Sequence, residues 1–129
     1  MTQERLEQLG QEWQERLRIA HWDVTYTAVP ARYVNDDAGL SDCEWFAKSL
    51  TAAVRVATEH PEPEIESNLI HELLHLVVAP LAHTSDEIAK QFGAEAQRLA
   101  DAVVRLETER VVRSLERVIF AEILKERSE

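Results

Sequence analysis

Two histidines four residues apart, His71 and His75, enclose Glu72 within an apolar stretch, residues 69–78. At about 3.6 residues per turn, a helix places both imidazoles on one face about one turn apart, close enough to bind a single ion. Glu72 then projects roughly 100° further around the helix, beside the ion rather than onto it. The pattern therefore predicts a buried helix with two metal ligands and an adjacent general base.

The alternative is a core helix that contains histidines for structural reasons alone. A buried imidazole needs a hydrogen-bond partner, and a buried glutamate needs an opposite charge or a metal nearby. Two histidines and a glutamate in one turn of a core helix are costly unless they have a function. We therefore favour the metal site.

A catalytic zinc site usually has three protein ligands and a water molecule, so a third ligand is expected downstream. The candidates are His83, Asp86, Glu87, Glu95, Asp101, Glu107 and Glu109. Glu95 fits best, because the small residues at 93, 94 and 96 allow its helix to approach the metal helix closely. Leu99 and Val103 are expected to pack that face against the core. The alternative is a surface glutamate at position 95 and, for Glu107 and Glu109, a solvated helix face.

Hydrophobic periodicity and turn residues divide the chain into helices and strands. The expected elements are a helix over residues 2–19, a strand over 22–27, a turn at 35–39, a β-region over 45–58, a metal helix over 63–79 ended by Pro80, and a helical segment over 86–125 with a possible break at Phe92–Gly93. Thr84 is expected to cap the last segment. This order predicts an α+β fold with a small antiparallel sheet.

The length of 129 residues fits one domain, 1–129, with a core of its own. The net charge of −10 argues against nucleic-acid binding, which needs clustered Lys and Arg. No apolar stretch approaches the roughly 18 to 20 residues that span a bilayer, so no membrane association is expected. Cys43 has no second cysteine to pair with, and the N-terminus lacks a signal-peptide core, which together predict a cytoplasmic protein.

The motif resembles known metallopeptidases. His71-Glu72-x-x-His75 with a later helical glutamate resembles the gluzincin branch of the zincins, and the interval from His75 to Glu95 is that of thermolysin-like enzymes. Residues 95–100 resemble the Glu-Ala-Asn-x-Phe-Ala pattern of ImmA/IrrE-type peptidases, small intracellular enzymes of phages and bacteria, some of which act on repressors. In size and layout the chain is similar to small phage-encoded metallopeptidases, whose metal helix ends in a Pro-Leu like residues 80–81.

The resemblance has departures. Leu99 stands where thermolysin-like enzymes have an aspartate that orients a ligand histidine, and Gln97 stands where the ImmA-type pattern has asparagine. Second-shell support for the histidines must therefore come from elsewhere. Candidates to stabilise the oxyanion of a tetrahedral intermediate are Tyr33, His83 and Arg98.

Together these features predict a minimal zincin that hydrolyses peptide bonds with Zn²⁺. The ion would be held by His71, His75 and Glu95, and Glu72 would be the catalytic base. The partner would be a peptide or protein substrate bound as a strand at the sheet edge. One alternative is a non-catalytic zinc-binding regulatory or interaction protein of phage or bacterial origin, with a fourth ligand such as His83 or Cys43; another is hydrolysis of a non-peptide amide.

The later apolar positions of the C-terminal segment form a stripe, comprising Val104, Val111, Leu115, Val118 and Ile119. Such a stripe packs either on the N-terminal helix of the same chain or on another subunit. The sequence therefore leaves open a homo-oligomer formed through the C-terminal helix.

Overall fold

A computed structural model describes residues 1–30 and 41–128. The elements are α1 (Gln3–Arg16), β1 (Asp23–Val29), β2 (Ser41–Phe46), β3 (Thr51–Ala57), α2 (Glu62–Ala89), a 3₁₀ turn (Lys90–Phe92) and α3 (Ala94–Ser128). An N-terminal helix, a small sheet and long helices follow one another as expected, which confirms the α+β class. The turn predicted at 35–39 and the oxyanion candidate Tyr33 lie outside the described residues.

The chain divides into two compact units, Met1–Val77 and Val78–Glu129. The first contains α1, the sheet and the beginning of α2, and the second contains the rest of α2 and all of α3. The single domain expected from the length stays a prediction. Within the described residues, no helix combines the length and the apolar character needed to cross a bilayer.

The sheet has the strand order β1-β3-β2 and is mixed, so the fully antiparallel sheet predicted from the sequence is only half right. β2 and β3 are antiparallel, with Cys43 opposite Val54, because the short turn at 47–50 joins them directly. β1 pairs with the other side of β3 in parallel, with Tyr26 opposite Val54. β3 takes the centre because it is the most apolar strand, and Val54 and Val56 are fully buried.

One face of the sheet carries the core of the first unit. α1 packs on β1 and contributes Leu6, Leu9 and Trp13, which recur at helical spacing and are almost completely buried. The helix begins at a cap, where the Thr2 hydroxyl accepts a hydrogen bond from the Arg5 amide at 3.1 Å. The opposite face of the sheet carries the exposed polar side chains of β1, which are Asp23, Thr25 and Thr27.

A buried polar network ties α1 to the sheet. The Tyr26 hydroxyl donates to Oε1 of Gln14 at 2.7 Å, and Nε2 of Gln14 donates to the carbonyl oxygens of Trp22 at 2.9 Å and Ile19 at 3.3 Å. Burial raises the pKa of Tyr26 far above its usual value, because the phenolate would lose its hydration. The neutral phenol is therefore the form that the fold stabilises.

This pKa shift predicts a loss of stability in alkali. The contribution of neutral Tyr26 is fully present below the usual tyrosine pKa of about 10 and is lost as the pH rises beyond it. Tyr26→Phe should cost about 0.5–1.5 kcal/mol at neutral pH, and this difference from wild type should narrow between pH 9 and 11. Urea unfolding at several pH values measures the free energy of unfolding of both proteins, and so gives the cost at neutral pH and its change with pH. Tyr33→Phe changes the other of the two tyrosines and is the control; parallel pH profiles for wild type and Tyr26→Phe would contradict the prediction.

The helix that carries the two histidines is longer than predicted. α2 continues through Pro80 to Ala89, so the expected end at residue 79 is wrong. Proline removes one helical N–H, but extending a formed helix avoids the cost of nucleating a new one. Thr84, expected as a cap, instead donates its hydroxyl to the Pro80 carbonyl at 2.9 Å within the helix. The predicted break at Phe92–Gly93 is confirmed, because Gly93 has a φ of 96° and α3 begins after it.

α3 leaves apolar side chains on its surface. Leu99, Val103 and Leu106 are 69%, 52% and 61% exposed, whereas Val112 and Ile123 are buried. The expectation that Leu99 and Val103 pack against the core is therefore wrong, because the buried side of α3 is a different one. Association of two chains through α3 stays a prediction.

Candidate metal centre

Residues 65–76 of α2 are buried on most of the helix circumference. Six side chains between positions 65 and 76 are at most 1% exposed: Ile65, Leu69, Ile70, Leu73, Leu74 and Leu76. His71 and His75 lie on the remaining side and are half-buried. The apolar pattern of residues 69–78 thus does bury the helix, and it leaves the two imidazoles at the boundary between core and solvent.

The two imidazoles face each other. Nε2 of His71 lies 3.4 Å from Nε2 of His75, and the ring centroids are 5.1 Å apart at an interplanar angle of 69°. Zinc–nitrogen bonds of about 2.0–2.1 Å at a tetrahedral angle separate two nitrogen ligands by about 3.3–3.4 Å. The pair therefore has the spacing that one tetrahedral ion requires. A hydrogen bond between the rings would be at the long end of the usual range.

Glu72 completes this cluster. It is only 5% exposed, and its carboxylate and the two imidazoles offer ligand atoms that all lie within 4.8 Å of one another. A carboxylate in a buried position is costly unless a cation or hydrogen bonds stabilise it. Imidazole nitrogens are common zinc ligands, and a carboxylate beside them is placed to act as a base toward a bound water molecule. The cluster could therefore hold a metal ion between the two imidazoles, with Glu72 beside it.

Cys43 connects the cluster with the sheet. Its position on β2 opposite Val54 puts it on the inner face, and burial is the main cause that raises the pKa of its thiol. The negative charge of Glu72 is the second cause, which places β2 near this part of α2. Within residues 1–30 and 41–128, the group of close ligand atoms contains three residues, and Cys43 is not one of them. The predicted closure by Cys43 as a fourth ligand is not supported.

Glu95, the predicted third ligand, lies in the first turn of α3 and is exposed. It belongs to the second unit, whereas His71, Glu72 and His75 belong to the first. The close group of His71, Glu72 and His75 does not contain it. Its role in metal binding therefore stays a prediction.

Most competing candidates for the third ligand already have basic partners. Lys90 contacts Asp86 at 3.0 Å and Glu87 at 3.3 Å, and this contact lowers the pKa of Asp86. Asp86 also accepts a hydrogen bond from Gln97 at 3.4 Å. On α3, the ion pairs Glu107–Arg110 and Glu109–Arg113, at 3.3 and 3.9 Å, agree with the solvated face expected there.

The sequence prediction missed the first four residues of β2, the strand near the cluster. It began the second β-region at Trp45, whereas β2 begins at Ser41. The missed signal is the alternation over residues 41–46, which puts Cys43 on the inner face and Asp42 and Glu44 on the outer face.

Comparison with known proteins adds no relative. No protein-family model, no curated protein and no solved structure matches the chain. Functional inference therefore depends on the cluster on α2 and on the elements packed around it.

Proposed function

We propose that this chain is a zinc-dependent peptide-bond hydrolase. The observation that carries the proposal is the cluster of His71, Glu72 and His75, in which two imidazole nitrogens 3.4 Å apart lie beside a buried carboxylate. Two histidines and a glutamate at this spacing are the components of a hydrolytic zinc site. Metal binding alone would not require Glu72, so its position beside the two ligands favours catalysis.

His71 and His75 would hold the ion through Nε2, and Glu95 is the proposed third ligand. Bound zinc would supply a Lewis acid that lowers the pKa of a water molecule and polarises a carbonyl group. Glu72 would take one proton from the attacking water and later deliver it to the departing amine. Water thus adds its hydroxyl to the carbonyl carbon, the C–N bond breaks, and the amine leaves with the proton.

The sheet edge offers a binding site for an extended peptide. Among the strands of residues 1–30 and 41–128, β2 lies at an edge of the sheet, and Cys43 on it lies close enough to Glu72 to experience its charge. The other edge, β1, is partly engaged, because the Gln3 side chain donates to the Tyr26 carbonyl at 2.6 Å and accepts from the Ala28 amide at 2.8 Å. A peptide added to β2 as a fourth strand would bring its backbone near the cluster.

Metal content tests the proposal first. Mass spectrometry at neutral pH should find about one zinc per wild-type chain. His75→Ala and Glu95→Ala should both lose it, because each removes one of three ligands. His21→Ala removes an exposed histidine outside the motif and should retain the metal.

The outcomes separate the parts of the proposal. A wild-type protein that binds no metal even with added zinc would refute it and leave the two half-buried histidines a structural role. Full retention in Glu95→Ala alone would move the third ligand to Glu87 or Asp101.

A further inference from the structure

The outer side of β2 carries two acidic residues in different situations. Asp42 lies opposite Arg55 of β3, which donates from Nε at 2.9 Å and from a second guanidinium nitrogen to the same carboxylate. Glu44 lies opposite Ala53 and is exposed. The residue directly opposite Glu44 therefore carries no charge, whereas the charge of Asp42 is neutralised by its cross-strand partner.

Glu44 is also next to the position that approaches the cluster. It adjoins Cys43, whose side chain lies on the inner face near Glu72. Two residues further along the same outer face, Phe46 is 55% exposed. The outer side of this edge thus presents one acidic and one apolar side chain in alternate positions.

The unit that contains β2, Met1–Val77, carries a net negative charge, as Glu44 does. Residues 1–77 contain 14 acidic and 6 basic residues, whereas residues 78–129 contain 10 and 8. Most of the excess negative charge is therefore in the unit that contains β2 and the two histidines. Such a surface attracts cationic segments and repels acidic ones.

We propose that the β2 edge selects substrate segments with a lysine or arginine opposite Glu44 and an apolar residue two positions away, opposite Phe46. The inference rests on the proposed function and specifies its substrate class. Directly opposed side chains of neighbouring strands interact most strongly, so an added strand would place its basic residue against Glu44. Side chains two apart share a face, so the next outward residue of the added strand would contact Phe46.

Matched peptides test the inference. Each synthetic peptide contains a leucine and, two positions before or after it, either a lysine or a glutamate; the rest of the sequence is constant. Cleavage of each peptide is followed by mass spectrometry. Wild-type protein should cleave the lysine peptide with a kcat/KM about two- to thirty-fold higher than the glutamate peptide. In Glu44→Lys the ratio should invert. Glu15→Lys makes the same change of net charge on the exposed side of α1 and should keep the wild-type ratio.

Selection by Glu44 and hydrolysis itself give different results when either is absent. Cleavage by wild type with a ratio that is equal in wild type and Glu44→Lys would overturn the selection by Glu44 and leave the hydrolase intact. An equal change of ratio in Glu15→Lys would attribute selection to net charge and overturn the role of β2. No cleavage of any peptide by zinc-loaded wild type would refute the hydrolase, and the inference with it.

Discussion

Glu72→Gln should lower the turnover number about 100-fold or more and leave the zinc content unchanged. General acid–base catalysis typically contributes about 10²–10⁴-fold, and glutamine keeps the size of the side chain but cannot accept the proton. The histidine nitrogens proposed to bind the ion are untouched by this change. Peptide cleavage and metal content, measured on the same preparations, test both halves of the prediction.

Glu66→Gln is the matched control, because Glu66 is also a buried glutamate of α2, at 8% exposure, and lies outside the cluster. It should keep wild-type turnover. Equal turnover in wild type and Glu72→Gln would remove Glu72 from its assigned role. A wild-type protein with a full complement of zinc and no hydrolytic activity would instead favour the alternative, a non-catalytic zinc-binding protein.

Gly10→Ala should destabilise the protein by about 1–3 kcal/mol, although alanine normally favours a helix. A Cβ at position 10 would overlap the Tyr26 ring and lie 2.6 Å from its Cε2 atom. The ring is 5% exposed and is held by its hydrogen bond to Gln14, so it has little room to move. Urea unfolding at neutral pH measures the change.

A double-mutant cycle identifies the cause. Tyr26→Ala removes the ring, so adding Gly10→Ala to it should cost much less than in wild type, with a coupling of about 0.5–3 kcal/mol. Additive effects of the two changes, or a stabilising Gly10→Ala, would show that the contact between α1 and the sheet is not what requires glycine there.

Local patterns in the sequence predicted most of the elements. The spacing of Leu6, Leu9 and Trp13 predicted α1, and Gly93 predicted the break before α3, because only glycine adopts its φ of 96° at low cost. The predicted end of α2 at residue 79 was wrong, because proline alone does not decide whether a helix continues. The parallel pairing of β1 was missed, since strand order depends on contacts between distant segments.

For the candidate site, too, the sequence predicted the proximity of residues that are neighbours in the chain and not that of distant ones. His71, Glu72 and His75 lie within one turn, so their proximity follows from helix geometry and the sequence alone determined it. Glu95 is separated from them in the chain, and no local rule fixes where it lies. The burial of α2 around the histidines was also predictable, because a helix with so many apolar residues must cover them in the core of a small protein.

What the sequence determined by itself is the motif, the helix that carries it and the α+β class, all of which depend on residues near one another in the chain. What only the tertiary structure decided is the mixed sheet and the place of β2 at one edge of its described strands, with Cys43 on the inner face near Glu72 and Glu44 on the outer face. A shift of one residue in register would exchange the two faces of β2. The pairing with β3 fixes that register, and with it the surface that a peptide would meet.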